Sequence, residues 1–443
     1  MCWSFIAIAY AAFAQPAIAT SPSDINDEAQ LDAFLPRQQS LDDILKKIQA
    51  APDNLDNYFT YAKAAESTKQ YKEAIWAYQE MLSRDKTLDR VRLDLSLAYI
   101  ANKQFVEARK LLEEVLSHNP PKPVQDNIHT ILAKMGTAGK RHVFAGSVST
   151  GFNHDSNAAA APSSGNVSVL DTSIPLSQTQ RKHADTHNFQ SVTVSHTYQP
   201  DPIIQDIGMV WKSSGTNYNT LQNHFKDLDI NLFSARTGPE IIYEPLGIHL
   251  GIAAVYNYIT LNHNDYLHNP RLEFTTQLPL TSQLSLLLGH ALEYRNFHNS
   301  HTVTTYTDSS GPASQEQVGL HYTFSERSSL DFLSQFRDED ASMEYQANHQ
   351  SGFLATYTRM FDDGYFVAPG YGIKHTHYAV PYPLISSDMR TDNQTTYQII
   401  AGKKLDFYDL VLSGGYTFTN VQSTIQNFTY YDHRLNLTLT KNF

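Results

Sequence analysis

From residue 142 the hydrophobic period of this chain switches from 3.6 to 2 and stays there for about 300 residues. Val192, Val194, His196 and Tyr198 alternate with Ser191, Thr193, Ser195 and Thr197. Leu228, Ile230 and Leu232 alternate with Asp227, Asp229 and Asn231, and Leu272, Phe274, Thr276 and Leu278 with Arg271, Glu273, Thr275 and Gln277. Residues 408–418 repeat the pattern. At the end Leu435, Leu437, Leu439 and Phe443 fall on one face, opposite Arg434, Asn436, Thr438, Thr440 and Asn442. Such alternation marks strands with one apolar face, and a terminal aromatic strand suits the closing strand of a membrane barrel.

A soluble sandwich alternates too, so the connections decide. Tight turns are expected at 199–202, 244–247, 279–282, 325–328, 362–364 and 403–406. Longer polar loops fall between them, near 153–185, 215–226, 261–269, 298–313, 338–346, 379–391 and 421–428. Turns on one side and loops on the other is the transmembrane-barrel arrangement. Six turns and seven loops join about 14 strands, with 12 or 16 as neighbouring counts because three strands are weakly patterned. The 26 Tyr and 22 Phe suit strands and aromatic girdles. An even count puts both barrel ends on the turn side.

Before the switch the period is helical and repeats. Tyr71, Ala74, Tyr78, Met81 and Leu82 recur 34 residues later as Phe105, Ala108, Leu112, Val115 and Leu116. That spacing is the tetratricopeptide signature, with the alanines where two helices touch closely. Two repeats and a capping helix near 124–135 are expected within 51–139, after a polar lead-in at 20–50 in which 41–48 could start a helix. Residues 1–19 read as a secretory signal: 2–14 is almost wholly apolar and Ala17-Ile18-Ala19 offers a small-x-small cleavage pattern. No Lys or Arg precedes the apolar run, so an earlier start is an open alternative. The fold class is therefore α+β and multidomain: N-terminal helical repeats, then an antiparallel transmembrane β-barrel over 142–443.

The net charge of −12 argues against nucleic acid as a partner. Residues 20–140 carry 16 basic and 18 acidic groups and residues 141–443 carry 17 and 27, so the acidity sits in the barrel. The single Cys lies at position 2, so signal cleavage removes it and no disulfide framework remains.

Nineteen His invite a metal reading. His263, His268, His298 and His301 fall in two neighbouring expected loops, and His375 and His377 share a strand face. No Cys or paired carboxylates complete a ligand set, so surface polar residues are the expectation. No G-x-S-x-G and no phosphate-binding glycine loop is present, so neither an enzyme nor a cofactor is expected. Arg271, Glu273, Glu293 and Arg295 should face inward on adjacent strands, where they would pair with one another or line a path.

A small repeat domain ahead of a barrel resembles the surface lipoprotein assembly modulators, Slam, of type XI secretion. The barrel entry, Gly146-Ser147-Val148-Ser149-Thr150-Gly151-Phe152-Asn153-His154-Asp155-Ser156-Asn157, is similar to that family's first strand and first loop, and Arg434-Leu435-Asn436-Leu437 through Phe443 fits its end. The resemblance covers roughly 55–443; the repeats lack several consensus residues. It implies an outer-membrane translocon with periplasmic repeats, which delivers a partner surface lipoprotein or a secreted haem- or iron-binding protein, opening near the seam of the first and last strands. Periplasmic chaperones and outer-membrane lipid would be further partners. Repeat proteins bind with the non-core positions of their first helices, so Lys63, Arg90, Leu93 and Leu97 become cargo-contact candidates, with solvation or packing as the plainer role. The competing reading is a porin, or an exopolysaccharide-export barrel with a docking domain.

Overall fold

The computed structural model describes residues 41–136, 140–200, 206–300, 303–383, 385–405 and 409–443. The expected signal and most of the lead-in therefore lie outside the described residues. Two compact units meet between Val143 and Phe144.

The first unit holds six described helices: α1 (Leu41–Ala50), α2 (Leu55–Ser67), α3 (Tyr71–Arg84), α4 (Asp89–Ala101), α5 (Phe105–Ser117) and α6 (Lys122–Met135). Asn54 caps α2, its side chain accepting from the Asp56 N–H at 3.0 Å. The 34-residue period is visible in the backbone. α2 turns into α3 at Lys69 and α4 into α5 at Lys103, both left-handed, with φ 58° and 61°. The Gln70 and Gln104 N–H groups then reach back to the Ala65 and Tyr99 carbonyls, each at 2.8 Å. Ala62, Ala65, Ala74, Ala77 and Ala108 are fully buried, which lets neighbouring helices close on each other around Tyr78. Helical packing begins earlier than the expected 51: Ile44 and Ile48 of α1 are buried in the same core. The polar residues between them face solvent and give 41–50 its lead-in look.

The second unit is a closed ring of 14 antiparallel strands. They are β1 (His142–Asp155), β4 (Asp185–Tyr198), β5 (Ile207–Gln222), β6 (Ile230–Tyr243), β7 (Ile248–Leu261), β8 (Asn264–Pro279), β9 (Leu284–Phe297), β10 (Gly311–Ser325), β11 (Ser328–Glu339), β12 (Asn348–Met360), β13 (Tyr365–Tyr378), β14 (Thr391–Leu405), β15 (Leu410–Ser423) and β16 (Tyr430–Asn442). A separate hairpin, β2 (Asn166–Val169) and β3 (Thr172–Pro175), sits inside the first long loop. Each ring strand pairs with its sequence neighbours, and β1 closes on β16. Val148, Phe152, Val194, Ile252, Leu292, Ile373, Leu435 and Leu437 are exposed on the outer wall. The polar residues between them turn inward, as a barrel in a bilayer requires. Among the described residues no helix is long and apolar enough to cross a membrane; the strands span it.

Three expectations are corrected here. The loop expected at 261–269 is a two-residue turn: Asn262 and His263 are left-handed (φ 48° and 62°) and join β7 directly to β8. That is the hairpin turn whose twist matches the flanking strands. β5 likewise runs on to Gln222, through most of the loop expected at 215–226. Also, Leu232 does not face lipid. With Phe233 exposed outside, Leu232 turns inward and is buried with Ile259, Tyr266, Leu267 and Phe297 at the loop end of β6–β9.

Candidate functional site

The candidate site is the barrel interior and the seam that closes it. On the wall from β8 to β14, side chains of one parity meet across strands. Arg271 of β8 reaches Glu293 of β9 at 3.1 Å and Gln315 of β10 at 3.2 Å. Arg337 of β11 binds the other Glu293 oxygen and donates to Glu339 at 2.6 Å. Glu339 also accepts from Arg295 at 2.8 Å and from Asn348 of β12 at 3.1 Å. Further round, Arg390 meets Asp392 of β14 at 2.6 Å and lies over the Phe428 ring at 3.3 Å. The inward placement of Arg271, Glu273, Glu293 and Arg295 agrees with the sequence reading. Glu273 pairs with Arg271 at 2.8 Å and also with Arg236 of β6, at 3.1 Å. The chain continues past Arg295 to Arg337, Glu339 and Asn348. Buried charges persist only when paired and hydrogen-bonded, which is what this wall achieves.

The seam has its own cluster. β1 and β16 are in register from Ser147 opposite Asn442 to Asp155 opposite Arg434. The final pair is joined by a direct ion pair, and Asp155 is 3% exposed. His187 of β4 lies 3.4 Å from Asp155 and contacts Asn153 at 3.0 Å. At the turn side the seam ends with reciprocal backbone bonds: Gly146 N–H to the Phe443 carbonyl at 2.9 Å, and Phe443 N–H to the Gly146 carbonyl at 3.0 Å. Gly151 is needed for close approach, because a Cβ there would land on the Leu437 carbonyl oxygen.

Loops gather over the last strands. Asp171, at the turn of the β2–β3 hairpin, accepts from the Ser386 hydroxyl at 2.6 Å and the Ser387 hydroxyl at 3.0 Å. These bonds, Ser386 first, hold its carboxyl below the usual range. Ser168 exchanges backbone bonds with the Asn427 side chain, which stands in for a third strand. The rings of Tyr345, Tyr382 and Phe428 pack in a tilted row, Tyr382 in the middle.

In the repeat unit, Lys63 and Arg90 meet at one carboxylate. Lys63 donates to Asp94 at 3.0 Å and to Glu66 at 2.9 Å, while Arg90 stands 3.9 Å from the other Asp94 oxygen. Burial opposes the Lys63 ammonium, but bonds to Glu66, Tyr78 and Asp94 outweigh it and raise its pKa above the ordinary lysine value. Leu97 is exposed on the same helix as Arg90 and Asp94. Leu93 packs against the cluster of Leu112, Val115 and Ile128, so it helps hold α6. Asp94 was not singled out by the sequence; its i+4 spacing from Arg90 was the available signal.

No group of three potential metal ligands occurs among the described residues. His375 and His377 face outward and bond to Asn393 at 2.7 Å and Thr391 at 3.1 Å.

A family model described as tetratricopeptide repeat matches residues 67–135. No curated protein matches the sequence. Among solved structures the chain is similar to the outer membrane channel DcaP of Acinetobacter baumannii, at 10% identity, over 68% of this chain and 97% of that one, with a TM-score of 0.40. The anion-selective porin from Comamonas acidovorans matches at 9% identity over 68% and 99%, with a TM-score of 0.36. A loop-deletion form of OmpT, an outer membrane protein of Vibrio cholerae, matches at 10% over 68% and 99%, with a TM-score of 0.40. The chain thus joins tetratricopeptide repeats to a 14-strand transmembrane barrel.

Proposed function

We propose that this protein is an outer-membrane translocon whose repeats, in the periplasm, gather a partner protein for delivery to the cell surface by the barrel. The partner is a surface lipoprotein or a secreted haem- or iron-binding protein, as the resemblance to the Slam family implies. One observation carries the reading: a helical-repeat unit, an architecture suited to gripping extended polypeptide, is encoded in one chain with a closed membrane barrel. A solute pore has no use for it. Among the described residues no phosphate-binding loop exists, so partner folding or capture outside must drive transport. The test is surface display of lipoproteins or haem-binding proteins encoded beside this gene, in cells with and without the protein. Unchanged display of every such partner after deletion refutes the proposal. A porin would instead give a steady, solute-sized conductance in planar bilayers and no display phenotype.

A further inference from the structure

Among the described residues, the inward cations on the loop-side half of the barrel wall have carboxylate partners, Lys374 excepted. Arg236 is paired with Glu273, Arg271 with Glu293, Arg295 and Arg337 with Glu339, Arg390 with Asp392, and Arg434 with Asp155. Lys374 of β13 has neither an ion pair nor a hydrogen bond. Its direction is fixed by its neighbours: Ile373 and Tyr371 are exposed outside, while Thr376 and Tyr378 are buried inside. The carboxylates that act on it are Glu339 and Asp392, but Glu339 is already shared by Arg295 and Arg337, and Asp392 is held by Arg390. The lysine charge is therefore left over.

The wall beside it is built open. Lys374 stands opposite Gly352 on β12 and Gln394 on β14, and Gln335 stands opposite Gly352 on β11. A side chain at Gly352 would meet the Ile373 carbonyl and the Lys374 backbone, so this position stays bare. The Gln394 amide is turned to Thr396 at 3.2 Å. An ammonium in a partly water-excluded place keeps its charge best with an anion beside it. This occurs in a barrel region whose residues sum to 17 basic and 27 acidic, so a free inward cation runs against the background.

We infer that Lys374 is an anion-binding residue of the lumen, taking a phosphate or carboxylate oxygen, and that it biases the barrel interior toward small anions. The fixed charge would raise local anion concentration within the low-dielectric walls.

The full chain, purified and folded in detergent, gives two readouts. In planar bilayers under a KCl gradient, the chloride-to-potassium permeability ratio should exceed unity, fall toward unity in Lys374→Gln and invert in Lys374→Glu. If the barrel does not conduct, thermal unfolding with added inorganic pyrophosphate decides: the wild type should be stabilised and Lys374→Gln should not. Heat-modifiable migration on gels reports that each variant is folded, and Lys374→Arg should restore either effect. An anion preference or pyrophosphate stabilisation unchanged in Lys374→Gln overturns the inference. So does a wild type that shows neither.

Discussion

Asp155 is the residue on which the closed ring most depends. Its carboxylate is buried between Arg434 of the last strand and His187 of the fourth. Removing Arg434 leaves that charge buried without its strongest partner, at a cost of about 3–5 kcal/mol. Arg434→Ala should therefore unfold at lower temperature in the gel-shift assay for barrel folding, and Asp155→Asn less so. Equal, unchanged midpoints would show that the pair contributes nothing. In the repeats, Lys63 is half-exposed, so its two ion pairs are solvent-screened. Lys63→Ala should cost only about 1 kcal/mol, read as a small drop in the helical melting transition. A loss several times larger would mean that Asp94 is stranded when Lys63 goes. Little of this was legible beforehand. The inward Arg and Glu of neighbouring strands could be read from alternation. Asp155 and Arg434 could not, because they are 279 positions apart and meet only when the ring shuts.

Strands and loops carry the next level. The strands are 12 to 16 residues long, whereas a tilted membrane strand needs about 9–11. The excess stands beyond the apolar band, where residues such as Asn217, Asn219, Asn264 and Asp265 break the alternation, so hydropathy cannot tell it from loop. That is why residues 215–222 of β5, and the stretch 261–269 around the Asn262–His263 turn, look like loops in the sequence. Alternation itself was legible, but not which face it named: the Leu232 set is apolar and still faces inward. The 34-residue helical period was fully legible, because each repeat buries its own copy of the same pattern. At this scale Asp171 makes a pH prediction. Its carboxyl is held below the ordinary value, so the stabilisation is present above about pH 4 and lost as pH falls through the depressed value. Limited proteolysis within residues 156–184 should accelerate on acidification, and Asp171→Asn should reproduce the acid pattern at pH 7. Equal cleavage of variant and wild type at pH 7 would exclude Asp171 as the clasp. Gly151→Val places a branched side chain against the Leu437 carbonyl. It should reduce the folded barrel fraction severalfold on gels, and normal yields would show that the seam can shift to accommodate it.

At the scale of the molecule, the two units have separate cores, one of helices and one of sheet. Deleting residues 41–136 should leave a heat-modifiable barrel in the outer membrane while abolishing display of the cargo. If display persists, the repeats are not where cargo is gathered. The order of parts, helical repeats then barrel, was evident from the change of period at residue 142. What that change could not convey is which interior charge remains unmatched, since pairing is a property of the assembled wall.

The Gly146–Phe443 backbone pair has a consequence in time. One edge of β1 finds its partner only in the last strand, so that edge stays bare until nearly 300 further residues are in place. A bare strand edge is a template for wrong pairing, with another copy or with any passing strand. For this chain, arriving late at closure is the main hazard of its birth, and a holdase that shields the first strand should matter more than one that shields the last.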